Sequence, residues 1–367
     1  MAAIDLTNLL QAAVKTESQN KRVVLTTPKG QLTFMNKIDK FDLSEIDSSL
    51  SGTHPAFIIN GVEVSSIYVG TYIGVIKNGE LVSQPSQRPS RNNFDDFITA
   101  AKANGPGHHL MTNAEWAAIS LRAYKNGIAP LGNTYYGRSA EDSKQVGQRI
   151  DGLTPGYNVN DPNPDYSGNP ATLTGTGPAK WRSNGTYTGI TDLAGNVMEW
   201  CGGARVFMGE LQVIANNDAA MLSADQGANS SAWKAINATT GELVTPNGTG
   251  TTPGTIKFVN NTTSDYSISN VNKTFAGMTN PSTTAPVSAV ALNKLKALGL
   301  YPLAADIAGY ANDLFDLGVN ALSNVCPINR GGSYQTATKS GIHTVAFSNL
   351  RTGSSGHIGA RPAYYVA

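Results

Sequence analysis

The sequence predicts an α+β fold with a short N-terminal segment and a long polar insertion. Three observations carry the prediction. Runs of β-branched and aromatic residues over 22–34 and 57–76 read as strands. Apolar residues then recur at helical spacing over 94–101 and 112–123. The remainder is rich in Gly, Pro, Asn and Thr, carries one further helical pattern, and ends on short apolar runs between turn formers.

Leu6, Leu9, Leu10, Ala13 and Val14 fall at helical spacing behind Asp5 and Thr7, either of which can cap, so a short amphipathic helix opens the chain. Such a helix is marginal alone, and its apolar face predicts packing on its own domain or docking to a larger assembly. Residues 22–34 form two strands around Pro28-Lys29-Gly30. The polar run Asp47 to Gly52 reads as a linker between an assembly or virion-attachment segment over 1–52 and a globular unit over 53–367. Phe57-Ile58-Ile59 and Ile67 to Ile76 predict a hairpin across Asn60-Gly61. Phe94, Phe97, Ile98 and Ala101 mark the next helix, stopped at Gly105. Another starts on the capping box Thr112-Asn113-Ala114-Glu115 and runs through Trp116, Ile119 and Ala123 to Gly127. Residues 130–190 read as loops anchored by Tyr135, Tyr136, Trp181 and Tyr187. The stretch from about 205 to 325 is the insertion. It holds strands at 211–214 and 255–259 and a helix from Pro286 to Gly299 with Val287, Val290, Ala291, Leu295 and Leu298 on one face.

Lys plus Arg number 27 and Asp plus Glu 26, so a net charge of +1 points to neither nucleic acid nor an anionic membrane. Charged residues make up 14% of the chain, against roughly 25% in an ordinary soluble domain. A polar, mostly uncharged surface suits a loop-rich extracellular or virion-type protein better than a cytosolic enzyme. No stretch approaches the roughly 18–20 apolar residues of a membrane span. Met1 to Asp5 shows no basic n-region and no apolar h-region follows, so no signal peptide is predicted. Cys201 and Cys326 form no C-x-x-C pair, which excludes a disulfide framework and a Cys-rich zinc site but leaves their own pairing open.

Several chemistries are excluded by motif. There is no Gly-Lys dipeptide for a Walker A loop, and Gly175-Thr176-Gly177 runs into Pro178 without a preceding strand. Gly353-Ser354-Ser355-Gly356 lacks the spacing of a hydrolase nucleophile elbow. His54, His108, His109, His343 and His357 form no H-x-x-x-H pattern, so no catalytic metal site is predicted. His108 and His109 read as a helix lead-in with one ring buried and one exposed, and Asp95-Asp96 as a solvated face.

Three blocks occur in order: Leu110 to Trp116, Thr191 to Trp200, and Asn329-Arg330-Gly331-Gly332-Ser333-Tyr334 ending in Ile358-Gly359-Ala360-Arg361-Pro362. Gly195 permits a tight turn, Asn196 and Glu199 can satisfy backbone groups or a cation, Trp200 anchors the core, and Arg330 and Arg361 read as buried polar ties. Over roughly residues 54–367 these blocks resemble the formylglycine-generating enzyme group (sulfatase-modifying-factor domains), which implies a C-type lectin-like fold of that subtype. Enzymes of the group carry a cysteine pair shortly after the R-G-G-S block. Here that stretch reads Gln335-Thr336-Ala337-Thr338-Lys339-Ser340, and the iron-binding histidine pattern of related sulfoxide synthases is missing too. The resemblance with its chemistry removed implies a binding protein, not an enzyme. It also allows a structural calcium ion near Asn196 and Glu199, and no other cofactor is expected.

The run over about 330–361 further resembles the variable region of diversity-generating retroelement proteins, in which a C-type-lectin fold displays residues rewritten by mutagenic reverse transcription. Framework positions such as Gly341, Ile342, Ile358, Gly359 and Arg361 recur, with small or polar residues between. The resemblance implies a ligand-contacting set of Tyr334, Gln335, Thr336, Thr338, Lys339, His343, Ala346, Ser348, Asn349, Thr352, Gly353, Ser355, Gly356, His357 and Ala360. On this reading the chain is a phage or viral receptor-binding protein of the tail-fibre, tropism-determining type. It is made in the host cytoplasm, carried in the virion, able to form a homotrimer, and directed to a host-surface protein or glycan as well as to other virion proteins. Nucleic acid and membrane insertion are not expected. The competing readings are an oxidase relative of the formylglycine-generating type and a cellular adhesion protein with the same fold.

Overall fold

The strands expected around Pro28-Lys29-Gly30 form there: Arg22–Thr26 pairs antiparallel with Leu32–Asp39, and Gly30 takes a φ of 78°. The computed structural model describes residues 6–157, 159–160, 166–259, 264–304 and 310–366. Leu32–Asp39 pairs onward with Ser66–Gly70, which pairs with Pro362–Tyr365, and His108–Leu110 completes a five-stranded antiparallel sheet. Residues 22–39 are therefore built into the domain instead of standing apart from it. The expected linker is a packed turn in which Asp42 closes a capping box on Leu43–Glu45 while Ile46 and Leu50 are buried. Asp, Ser and Gly serve a tight turn and a linker equally well, so composition does not separate the two.

Helix α1, Leu6–Glu17, is the expected amphipathic helix, with Thr7 inside it and Asp5 outside the described residues. None of its residues is buried; Leu6 is 73% and Leu9 59% exposed. The Asn60-Gly61 turn joins Ile58–Ile59 to Val62–Glu63, with φ of 51° and 73° at its two central residues. Gly74–Lys77 pairs instead with Glu80–Ser83 in a separate hairpin. Helix α2, Phe94–Lys102, is capped by Asn93 and buries Phe94 and Phe97. Helix α3, Asn113–Lys125, begins on the expected capping box: Glu115 N donates to Thr112 Oγ1 at 3.1 Å and Thr112 N to Glu115 Oε2 at 2.9 Å. His108 and His109 lie in a strand with both rings buried, contrary to the expected exposure of one, because His109 Nε2 sits 2.9 Å from the buried Glu115 carboxylate.

The insertion supplies most of a second, ten-stranded sheet. Its main path runs Leu243–Val244, Lys234–Ile236, Glu210–Val213, Met198–Phe207, Val325–Arg330, Val345–Ala346 and Phe315–Asp316. Ile358–Ala360 lies parallel beside Met198–Phe207, and Lys257–Val259 joins Ser267–Ser269 to Glu210–Val213. Helix α4, Ala289–Ala297, starts at Ser288 and buries Ala291 and Leu295; Val290, expected on that face, is 63% exposed. Tyr187, expected as an anchor, is exposed, whereas Trp181 is buried. The fold is thus mixed α/β, mostly sheet with few helices. One buried cluster joins Ile67 and Val69 of the first sheet, Trp116 of α3, and Val206, Leu211 and Phe258 of the second sheet or its side strands. Among the described residues no helix is long and apolar enough to cross a membrane.

Candidate ligand-binding surface

The block ending at Trp200 fixes the C-terminal run in place. Gly195 takes a φ of 73°, and its N–H donates to Gly331 O at 2.8 Å. The Asn196 side chain accepts from Thr172 N at 2.8 Å and from Asn133 Nδ2 at 3.4 Å and donates to Thr172 O at 3.1 Å, while its carbonyl accepts from Tyr334 N at 3.0 Å. Glu199 binds Arg361 through both oxygens, and Trp200 meets Phe94 edge to face at 5.8 Å. Arg330, fully buried, donates from Nε to Asn113 Oδ1 at 3.0 Å and from Nη2 to Gly299 O at 2.9 Å, tying the strand to α3 and to the end of α4. These residues build the framework, as the sequence predicts.

The fifteen residues expected to contact ligand divide into two classes. Six are buried. Tyr334 packs with Tyr136 and accepts from Gly168 N at 3.2 Å. His343 stacks on Phe275 and meets the edge of Tyr310. Ala346 and Ala360 sit inside strands Val345–Ala346 and Ile358–Ala360. Gly356 faces Tyr166 and Gly168 so closely that a Cβ would lie 2.3 Å from Tyr166 O, and His357 lies under the Tyr166 ring. These six lie in the close-packed interior of the fold.

The other nine are exposed or half-buried and lie on two loops. Gln335, Thr336, Thr338 and Lys339 follow Tyr334, and that loop is pinned by Ala337 N to Thr134 O and by Leu314 N to Lys339 O, each 2.9 Å. Ser348, Asn349, Thr352, Gly353 and Ser355 form the second, pinned by Asn349 Nδ2 to Asn329 Oδ1 at 2.8 Å and by Arg351, whose guanidinium covers Phe94 and pairs with Asp95. Thr336, Asn349 and Ser355 each also hydrogen-bond a framework group. Ser355 and its buried neighbours come back to segment 166–168, against which Tyr334 also packs, whereas 348–353 rests on separate anchors.

Burial sets the chemistry of the nearby ionisable groups. It pushes the Asp313 carboxyl up to about 8, with His343 N donating to it at 2.8 Å, and pushes the His343 imidazole down to about 3. Cys201 and Cys326 are free, buried thiols, and burial pushes both above the usual thiol value, Cys326 to about 11. Asn196 and Glu199 do not fit a calcium ion: both ends of the Asn196 amide and both Glu199 oxygens already hold protein partners, where calcium takes six or more oxygens. Among the described residues no group of three or more His, Cys, Asp or Glu converges.

No family model and no curated protein matches the chain. Among solved structures it is similar to Treponema denticola variable protein 1, at 13% identity over 94% of this chain and 98% of that one, with a TM-score of 0.34. Likeness at that score decides nothing about this chain's fold or function.

Two exposed tyrosines lie beside the buried anchors of the run and escape the sequence reading. Tyr166 is 57% exposed and edges onto His357, and Tyr157, 53% exposed, meets Tyr136. Tyrosines in a Pro/Asn/Gly-rich stretch are the signal that could have found them, since an aromatic ring there has no strand or helix to pack it.

Proposed function

We propose that the chain is a non-catalytic ligand-binding display protein, a C-type lectin-like framework of the formylglycine-generating enzyme subtype that presents a changeable polar surface. The observation that carries this reading is the division within residues 330–361. Buried residues brace the run from within, while small or polar residues stand on two loops pinned at several points. Adaptable hydrogen-bonding groups on a rigid support, with tyrosines alongside, have the chemistry of a paratope. The resemblance of the same run to retroelement variable regions supports it, and the burial of both thiols weighs against an oxidase that works through a cysteine pair. By extension the chain is a receptor-binding protein of a phage or virus particle whose ligand is a host-surface protein or glycan, and assembly of several copies would turn weak contacts into avidity.

Sequencing the DNA that flanks the gene tests this. The expected result is an imperfect copy of the codons for 330–361, beside a reverse transcriptase, that differs where the copy has adenine and mainly at the nine outward positions. Absence of such a copy would leave a fixed binder or a degenerate enzyme.

A further inference from the structure

The insertion carries a pocket of about 240 Å³ that the display surface does not use. Arg205 and Trp233 form its buried floor, and Asn229, Ser231 and Thr245 its exposed edge. The Arg205 guanidinium is stacked 4.3 Å over the Trp233 ring, and the residue is 4% exposed. All its hydrogen bonds go to neutral oxygens: Nε and Nη2 donate to Gln212 Oε1 at 2.9 and 2.7 Å, and Nη1 donates to Ala228 O at 2.7 Å. Glu210 stands behind Gln212, accepting from its Nε2 at 2.8 Å, and is already engaged by Lys257 at 2.9 Å and by Thr255. The pocket lining holds no Asp or Glu. Lys234 reaches Thr245 Oγ1 at 3.3 Å at the mouth.

A buried cation that no anion touches is costly, and Glu210 reaches Arg205 only through Gln212. Three contacts leave two of the five guanidinium N–H groups unused, and a planar fork of N–H donors matches a carboxylate. We propose that this pocket binds the carboxylate of a small anionic ligand, with Arg205 as the cation and the hydroxyl and amide groups of Ser231, Thr245 and Asn229 bonding its polar remainder. The site lies outside residues 330–361, so it stands independently of the display reading.

Calorimetric titration of the full chain with glucuronate, N-acetylglycine and glucose tests the site and separates an acidic sugar from a peptide carboxylate. We expect one or both acids to bind, glucose not to bind, and the affinity to fall with added salt. Arg205→Lys keeps the charge but loses the fork and should weaken binding about tenfold. Ser231→Trp, at an exposed position, should block the mouth and abolish binding while leaving the melting midpoint unchanged, so a folding defect cannot explain the loss. Binding of glucuronate alone assigns a sugar acid, and of N-acetylglycine alone a peptide end; both support the site. Binding of neither acid, equal binding of glucose, or binding undiminished in Ser231→Trp would overturn it.

Discussion

Arg361 and Glu199 form a bidentate ion pair closed to solvent, with Nε to Oε2 at 3.0 Å and Nη2 to Oε1 at 2.7 Å. The remaining donors of Arg361 reach Gly70 O at 2.8 Å and Thr191 O at 2.9 Å, so one side chain joins the end of the variable run to the first sheet and to the loop ahead of Met198–Phe207. Glu199→Ala would strand a buried guanidinium and should cost about 3–5 kcal/mol. Urea unfolding of Glu199→Ala, and of a double variant with Arg361→Met, checks this: the double should recover part of the loss.

Asp313 makes stability depend on pH. Its folded carboxyl keeps a proton up to about pH 8 that the unfolded chain releases near pH 4, so stability falls as pH rises between those limits. His54, His108 and His343, pushed by burial down to about 3, 4 and 3, work in the opposite sense, since stability is lost as pH falls below their unfolded value near 6.5. Between pH 6.5 and 8 the unfolded histidines shed their last protons and still raise stability, while Asp313 opposes them by on the order of 1 kcal/mol per pH unit. From pH 6.5 to 8 the urea midpoint should rise in Asp313→Asn, where only the histidines act, and should stay level or fall in the native chain.

Gly195 is required by both its backbone and its surroundings. At a φ of 73° a Cβ would lie 2.3 Å from Asn133 O, so Gly195→Ala should lower unfolding free energy by about 2 kcal/mol or more. A melting curve checks it; an unchanged midpoint would show that the 133–196 contact yields freely.

Leu6 and Leu9 of α1 stand in solvent and contribute nothing to the chain's own core. Leu6→Gln and Leu9→Gln together should shift the chemical midpoint by no more than about 0.5 kcal/mol equivalent. A large loss in dilute protein would mean that the helix packs on its own domain.

What could be read from the sequence was local. The Thr112 capping box, the Gly195 turn, the Arg330 and Arg361 ties and the two strands about Gly30 each depend on residues whose chemistry has few alternative uses. Long-range pairing was not legible: nothing in Leu32–Asp39 signals that it joins Ser66–Gly70 and, through it, the C-terminal strand. Within the variable run, Ala346 and Ala360 are small enough to suit either a display position or a strand interior, and His343 suits either a contact or an aromatic stack, so residue type alone did not separate inward from outward positions. Arg205 belongs to no motif and became visible only when cross-strand pairing set it beside Gln212 and the fold brought Trp233 against it.

The central claim is a rigid framework carrying a replaceable surface, and the most direct measurement is the melting midpoint of two combinatorial libraries. One randomises Gln335, Thr338, Lys339, Ser348, Thr352 and Gly353 together; the other randomises Tyr334, His343, Ala346, Gly356, His357 and Ala360. The account predicts that most clones of the first melt within a few degrees of the parent, as surface changes do, and that most clones of the second are unfolded. Comparable losses in both libraries would contradict it.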